Sequence, residues 1–410
     1  MSSNSNSWDS KTLFHRFSIL AVSLVITIGT AISPALPAMA KTFSNYPVSL
    51  VNTVATIQQV PAFIVLLFSA SISRKLGMKN CIGLGLLIMG ISGVIPAFIP
   101  NLWVILVSRA VFGIGIGLLN SLAITMVNLF YDGADRSQML GNRSSFEQVG
   151  LCIMNIAIGL LLNISWQFSF LAYIVIFAVL ALFWFIVPPF TDNSNVQVNQ
   201  ANPQDSAKQR VNFKVIAAGV ICCLLTMGMA AVSILTPSIV VNAKMGTATD
   251  ASFVITIFTL TSMVMGFLFG KIFKLIKRFV FSAGMLFLSI GMLLMNGAHT
   301  FPMLIVSVMV IGCAFPLAGN YLFNLMEVAA PKGSNALANS VLLVGCNIGT
   351  AVSPTVISAL GSVSPFKGEM PGIGLFGALI IALMIILIIF QIISHTPNVS
   401  NKRNKYTIHQ

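Results

Sequence analysis

The chain has 410 residues, of which 57% are hydrophobic and only 8% charged. A soluble domain of this length needs far more polar surface, so a globular protein in water is excluded. The net charge of +13 comes from basic residues in short tracts between apolar runs, with no basic, aromatic-interleaved face, so no nucleic-acid partner is expected.

The apolar runs fall, in chain order, at 17–39, 48–70, 81–99, 103–127, 144–164, 167–187, 214–236, 251–273, 279–298, 302–326, 335–360 and 372–394. Each is about twenty residues, the length a helix needs to cross the hydrocarbon core of a bilayer. Lipid offers no partners to a bare main chain, so each crossing must close its own hydrogen-bond ladder as a helix. The expected fold is an all-α polytopic membrane protein with twelve transmembrane helices. If the N-terminus is cytoplasmic, the inner tracts hold Arg16, Arg74, Lys75, Lys79, Arg136, Arg143, Lys208, Arg210, Lys271, Lys274, Lys277 and Arg278, whereas the outer tracts hold Lys41, Lys244 and Lys367. That asymmetry predicts a multi-pass protein of the cell membrane with both termini in the cytoplasm. Arg16, the first apolar run and Ala38-Met39-Ala40 imitate a cleavable signal peptide, but the run exceeds the usual apolar core of such peptides, and losing it would invert the charge bias of every later loop. The cysteines Cys81, Cys152, Cys222, Cys223, Cys313 and Cys346 all lie in the runs and read as small apolar fillers, with no disulfide, metal or cofactor spacing.

After the sixth run the stretch 191–210 turns rich in Asn, Gln, Asp and Ser, with almost nothing to bury. The chain therefore divides into an N-terminal six-helix bundle (1–190), a cytoplasmic linker (191–212), a C-terminal six-helix bundle (213–395) and a cytoplasmic tail (396–410). Val149-Gly150-Leu151-Cys152 is echoed by Val344-Gly345-Cys346-Asn347, as expected of a duplicated, pseudo-symmetric pair of bundles.

Between the second and third runs stands Ala70-Ser71-Ile72-Ser73-Arg74-Lys75-Leu76-Gly77-Met78-Lys79, and the fourth carries Arg109-Ala110-Val111-Phe112-Gly113-Ile114-Gly115-Ile116-Gly117. The sixth opens with Trp166-Gln167-Phe168-Ser169-Phe170. In these motifs the chain resembles the major facilitator superfamily of secondary transporters over essentially its whole length. The first segment matches the family's G-x-L-a-D-R-x-G-R-K loop at Gly77 and at the basic positions Lys75 and Lys79, while Arg74 stands at the acidic position and Met78 at the second arginine. The resemblance implies that this loop, with Gly113 and Gly117, helps to hold one conformer. The second segment looks like R-x-x-x-G-x-G, and the third like the W-R-x-x-F entry to span six. The family's antiporter pattern G-x-x-x-G-P-x-x-G-G falls on Gly150, Met154, Asn155, Ile158 and Gly159, with its proline and two glycines missing.

Helical spacing puts Arg109, Gly113, Gly117 and Asn120 on one stripe. A guanidinium within a span costs at least about 2.5 kcal/mol, so Arg109 should face a cavity, a partner or water; the alternative is an anchor that snorkels to the headgroups. Of the acidic residues only Glu147 and Glu327 approach membrane depth. Glu147 is either a proton relay or the ion-pair partner of Arg143, and Glu327 reads as a solvated helix end. Gln58, Gln59, Asn155, Asn320 and Asn324 are further candidates for lining a polar cavity, or else interhelical glue. Pro34, Pro37, Pro61, Pro237 and Pro316 should kink or loosen their helices.

No phosphate-cradling motif, zinc pair or nucleophile and base set is present, so an ATP-driven pump or an intramembrane enzyme is not expected. The expected activity is secondary active transport of a small organic solute, anionic or neutral, by alternating access, coupled to protons and carried out by a monomer in the bilayer. Two rivals stay open: a multidrug:proton antiporter, and a non-transporting membrane receptor or scaffold.

Overall fold

Helices occupy all twelve expected positions. The computed structural model describes residues 20–130, 133–187, 212–329, 335–364 and 368–395; the central linker and the tail lie outside the described residues. Among the described residues, nine helices are long and apolar enough to cross a membrane, and three shorter apolar ones, Ser145–Leu161, Val280–Asn296 and Glu369–Ile385, fill the remaining expected places.

Several spans are interrupted. Span one starts as a helix at Leu20, loses its ladder at 25–27, continues as a 3-10 helix over Ile28–Ala35 and ends as Leu36–Thr42. Span two consists of Val48–Asn52, a 3-10 turn Thr53–Ala55 and Gln59–Leu76. Span ten breaks between Phe301–Gly312 and Ala314–Ala329. Each break lies next to Pro34, Pro37, Pro61 or Pro316, where a missing N–H releases a carbonyl four residues back. Side chains take up two of these: the Ser33 hydroxyl donates to Thr30 O at 2.6 Å, and the Ser262 hydroxyl to Gly312 O at 2.7 Å. Pro237, in contrast, sits inside the continuous span seven, Phe213–Asn242.

Span three is Met78–Val94, span four Leu102–Phe130 and span five Gly133–Leu161; span six is the 3-10 turn Phe168–Ile174 followed by Val175–Ile186. Span five thus begins well before residue 144, the start expected from hydropathy. Its polar first third is helical too, because a ladder that must be closed in lipid can run on past the apolar segment. Arg143 is accordingly inside a helix rather than in a loop. Spans eight, nine, eleven and twelve are Ala248–Ile276, Val280–Asn296, Asn335–Val363 and Glu369–His395.

Helix packing repeats with an offset of six spans. One packs on five, two on four and three on six; correspondingly seven packs on eleven, eight on ten and nine on twelve. The bundles meet through the pairs five–eight and two–eleven, which the same offset interchanges, and through one–seven, which it maps onto itself. Glycines set the closest approaches. A Cβ on Gly150 of span five would strike Leu24 O of span one, and a Cβ on Gly345 of span eleven would strike Gly219 O of span seven. Residues 24 and 219, like 150 and 345, are 195 apart, so the sequence echo marks one contact built twice.

The end of the bundle where span six stops and span seven starts is the linker end. At the opposite, far end the two halves are joined: Thr249 Oγ1 of span eight lies 2.9 Å from both Gly159 O of span five and Asn163 Oδ1 in the turn that follows it. A capping box positions it, with Asp250 accepting from Thr247 N at 2.7 Å while Thr247 Oγ1 accepts from Asp250 N at 3.2 Å. The buried residues of span eight all lie between Ala251 and Thr259, and none falls in the 260–276 stretch that runs to the linker end.

Spans two and three are joined by Gly77 alone, at φ +81° and ψ 144°. A Cβ there would meet nothing within 4 Å, so backbone conformation rather than space demands glycine. Gly77→Ala should therefore destabilise the purified protein by about 1–3 kcal/mol, read as a lower thermal-unfolding midpoint in detergent. An unchanged midpoint would mean that the turn relaxes freely.

Candidate functional site

Two polar clusters lie within the N-terminal bundle. The first surrounds Arg109, whose side chain is 0% exposed, on span four. It does not snorkel. Its Nη2 donates to Gly29 O of span one, and is 3.0 Å from Gln58 Oε1 of span two and 3.2 Å from the Tyr173 hydroxyl of span six. The guanidinium carbon lies 4.5 Å from the Phe112 ring centroid and 4.9 Å from that of Tyr173, so two ring faces complement the charge. Tyr173 OH in turn reaches Ile28 O at 3.3 Å and Gly29 O at 3.4 Å. Arg109 Nε and Nη1 are buried without a hydrogen-bond partner, and among the described residues no carboxylate pairs with this cation.

Local geometry explains why these groups converge. Gly29 and Gln58 both sit at helix breaks, in the 3-10 part of span one and in the turn before Gln59–Leu76. Gly113 lets span four approach that turn, since a Cβ there would strike Gln58 O, and Gly117 approaches Ala62 O in the same way at 2.5 Å. The Gln58 amide donates to Ala55 O at 3.1 Å and thereby ties down its own turn. The conformational candidates Gly113 and Gly117 thus face span two.

The second cluster centres on span five. Arg143 Nη2 and Glu147 Oε1 form an ion pair at 2.6 Å, one helical turn apart, with side chains 11% and 15% exposed. Arg143 also reaches Asn120 Oδ1 on span four at 3.4 Å. Thr27, in the interrupted stretch of span one, donates its hydroxyl to Glu147 O at 3.1 Å. Span five runs from Gly133 to Leu161, but its apolar part is Ser145–Leu161, so Glu147 stands within the first turn of the apolar segment, at its linker end. A partly exposed charge pair there requires polar access from the linker end.

The other candidates are scattered. Asn155 is 1% exposed and neither amide atom has a partner. Gln59 and Asn320 are half-buried and Asn324 is exposed, and none of the three joins either cluster among the described residues. Lys75 is exposed, and Lys79 donates to Trp184 O at 2.9 Å. The side chains of Arg74 and Glu327 lie outside the described residues. Sequence reasoning missed Tyr173 and Thr27, and placed Arg143 in a loop tract.

The Major Facilitator Superfamily profile matches residues 18–354 and again 216–407, and the chain belongs to that family. It is a multi-pass membrane transporter with the superfamily's two-bundle fold. Among solved structures, a D-xylose-proton symporter is similar at 16% identity and TM-score 0.71, over 90% of this chain and 96% of that one. A peptide transporter in complex with alafosfalin is similar at 15% identity and TM-score 0.73, over 93% and 96%. The xylose transporter of E. coli in an inward-open conformation is similar at 13% identity and TM-score 0.71, over 90% and 94%. No curated protein matches the chain significantly.

The Arg109 cluster yields a stability prediction. Tyr173→Phe keeps the ring over the guanidinium but removes the hydroxyl between Arg109 and the carbonyls of span one, and should cost about 1–2 kcal/mol. Arg109→Lys, which loses both the planar fork and the stacking, should cost more. Thermal unfolding of the purified variants decides; a lysine variant as stable as the parent would make the cluster a passive one.

Proposed function

We propose that the protein moves a small organic solute, anionic or neutral, across the cell membrane by alternating access, driven by protons. The observation that carries this reading is the Arg143–Glu147 pair, 2.6 Å apart and partly exposed where the apolar part of span five begins at the linker end. With Glu147 ionised the two charges compensate each other and Arg143 is occupied. A proton on Glu147 cancels its charge and leaves Arg143 as an uncompensated cation facing polar space, which an anionic group or a polar solute then satisfies. Proton and solute thus favour the same state, the linkage that any coupled transporter requires. Asn120 and Thr27 carry that change to spans four and one, since both hold the pair in place. Arg109 adds a fixed positive potential from behind the breaks of spans one and two.

The far-end latch of Thr249 on Asn163 and Gly159, together with the lack of burial along span eight toward the linker end, supports a conformer closed at the far end and open at the linker end. The excess of Lys and Arg in the tracts at the linker end makes that end cytoplasmic, so this conformer is inward-facing. The fold relatives whose names include a proton symporter and a peptide transporter agree with proton coupling and a small polar cargo.

In proteoliposomes, Glu147→Gln should abolish accumulation of a transported solute driven by a pH gradient while sparing solute exchange in the absence of a gradient. Gradient-driven accumulation at parental rates would remove Glu147 from the coupling, and the absence of transport under any imposed gradient would favour the receptor alternative. Alternating access has its own test. Cysteines at Asn163 and Thr249, oxidised to a disulfide, should stop transport, and reduction should restore it; continued turnover of the crosslinked protein would mean that the far end need not open.

A further inference from the structure

At the linker end, spans three and six enclose a lipid-facing groove of about 490 Å³, lined by Leu84, Leu87, Phe177, Leu180 and Trp184, with Asn80 at its mouth. The groove exists because position 83 is glycine: a Cβ there would come within 2.7 Å of the Trp184 ring. From Asn80 to Leu87 its floor is about 10 Å long at the helical rise. Lys79 stands at the rim. Its ammonium donates to Trp184 O at 2.9 Å and lies 5.3 Å from the Trp184 ring centroid, which fixes one of its three N–H donors and leaves two for another acceptor. Among the described residues no carboxylate pairs with it. Lys75, exposed in the last turn of span two, adds positive charge at this depth.

We propose that this groove is a binding site for an anionic glycerophospholipid of the linker-end leaflet, its phosphate on Lys79 and an acyl chain along the Leu84–Leu87 face against Phe177 and Trp184. The leaflet itself supplies the occupant: the walls belong to membrane spans, and Leu84 and Leu87 are both 40% exposed on that surface. Basic residues at the mouth of a cleft between transmembrane helices recognise anionic headgroups by charge, and an apolar cleft below them retains the tail. A groove of similar size, about 480 Å³, between Ile88, Ile91, Trp103, Val107 and Val111 has, among the described residues, no lysine or arginine seated on a lining residue as Lys79 is on Trp184, and so lacks the headgroup half of such a site.

The test is native mass spectrometry of the delipidated protein titrated with phosphatidylglycerol or with phosphatidylcholine of the same chains. The parent should retain phosphatidylglycerol about fivefold more strongly. Lys79→Ala should erase that preference, Lys79→Arg should keep it, and Lys244→Ala at the far end should leave it unchanged. Leu87→Trp, which fills the groove, should lower retention of both lipids and so tests the tail contact without touching the charge. Equal retention of both lipids by the parent, or an undiminished preference in Lys79→Ala, would overturn the proposal.

Discussion

A main-chain carbonyl released from its helix inside a bilayer has no water to turn to, and this molecule releases several in spans one, two and ten. Each break recruits a donor: Ser33 for Thr30 and Arg109 with Tyr173 for Gly29 in span one, the Gln58 amide for Ala55 in span two, and Ser262 of span eight for Gly312 in span ten. The contact of Arg109 is the most consequential, because a cation buried completely within a bundle is tolerable only where carbonyl dipoles and ring faces stand in for a carboxylate. Arg109 and the irregular turns of spans one and two therefore need each other. Without the guanidinium, Gly29 O would keep only the long contact to the Tyr173 hydroxyl and Gln58 Oε1 would lose its donor.

That mutual dependence explains where the polar chemistry gathers. Span one is irregular between Leu24 and Leu36, and this stretch touches both clusters, through Gly29 toward Arg109 and through Thr27 toward Glu147. The Arg143–Glu147 pair is thus tied to a segment already free of a rigid ladder. The two clusters differ in kind. One is sealed and holds a single cation, whereas the other is partly open and holds an ion pair.

Much of the architecture was legible in the amino-acid pattern, because bilayer thickness fixes helix length and proline fixes where ladders fail. The twelve apolar runs fall on helices, and four of the five prolines singled out adjoin interruptions. Even the faint echo around Gly150 and Gly345 corresponds to a repeated backbone contact. Hydropathy misled at span five only ahead of the apolar segment, where it took a helical polar stretch containing Arg143 for a loop. What periodicity could not yield is pairing across the fold. Arg109 meets Gly29 and Tyr173 at separations of 80 and 64 residues, and Thr249 meets Asn163 at 86. A glycine stripe shows that something approaches closely but not which carbonyl it is.

The connection at Gly77 leaves spans two and three no slack. With one residue between them, neither helix can slide along or tilt from the other without unwinding an end, so the two move as one antiparallel unit. The matching joint of the other half is longer, a 3-10 turn of Lys277–Phe279 that starts from a lysine at φ +45°, and gives spans eight and nine more room to shift.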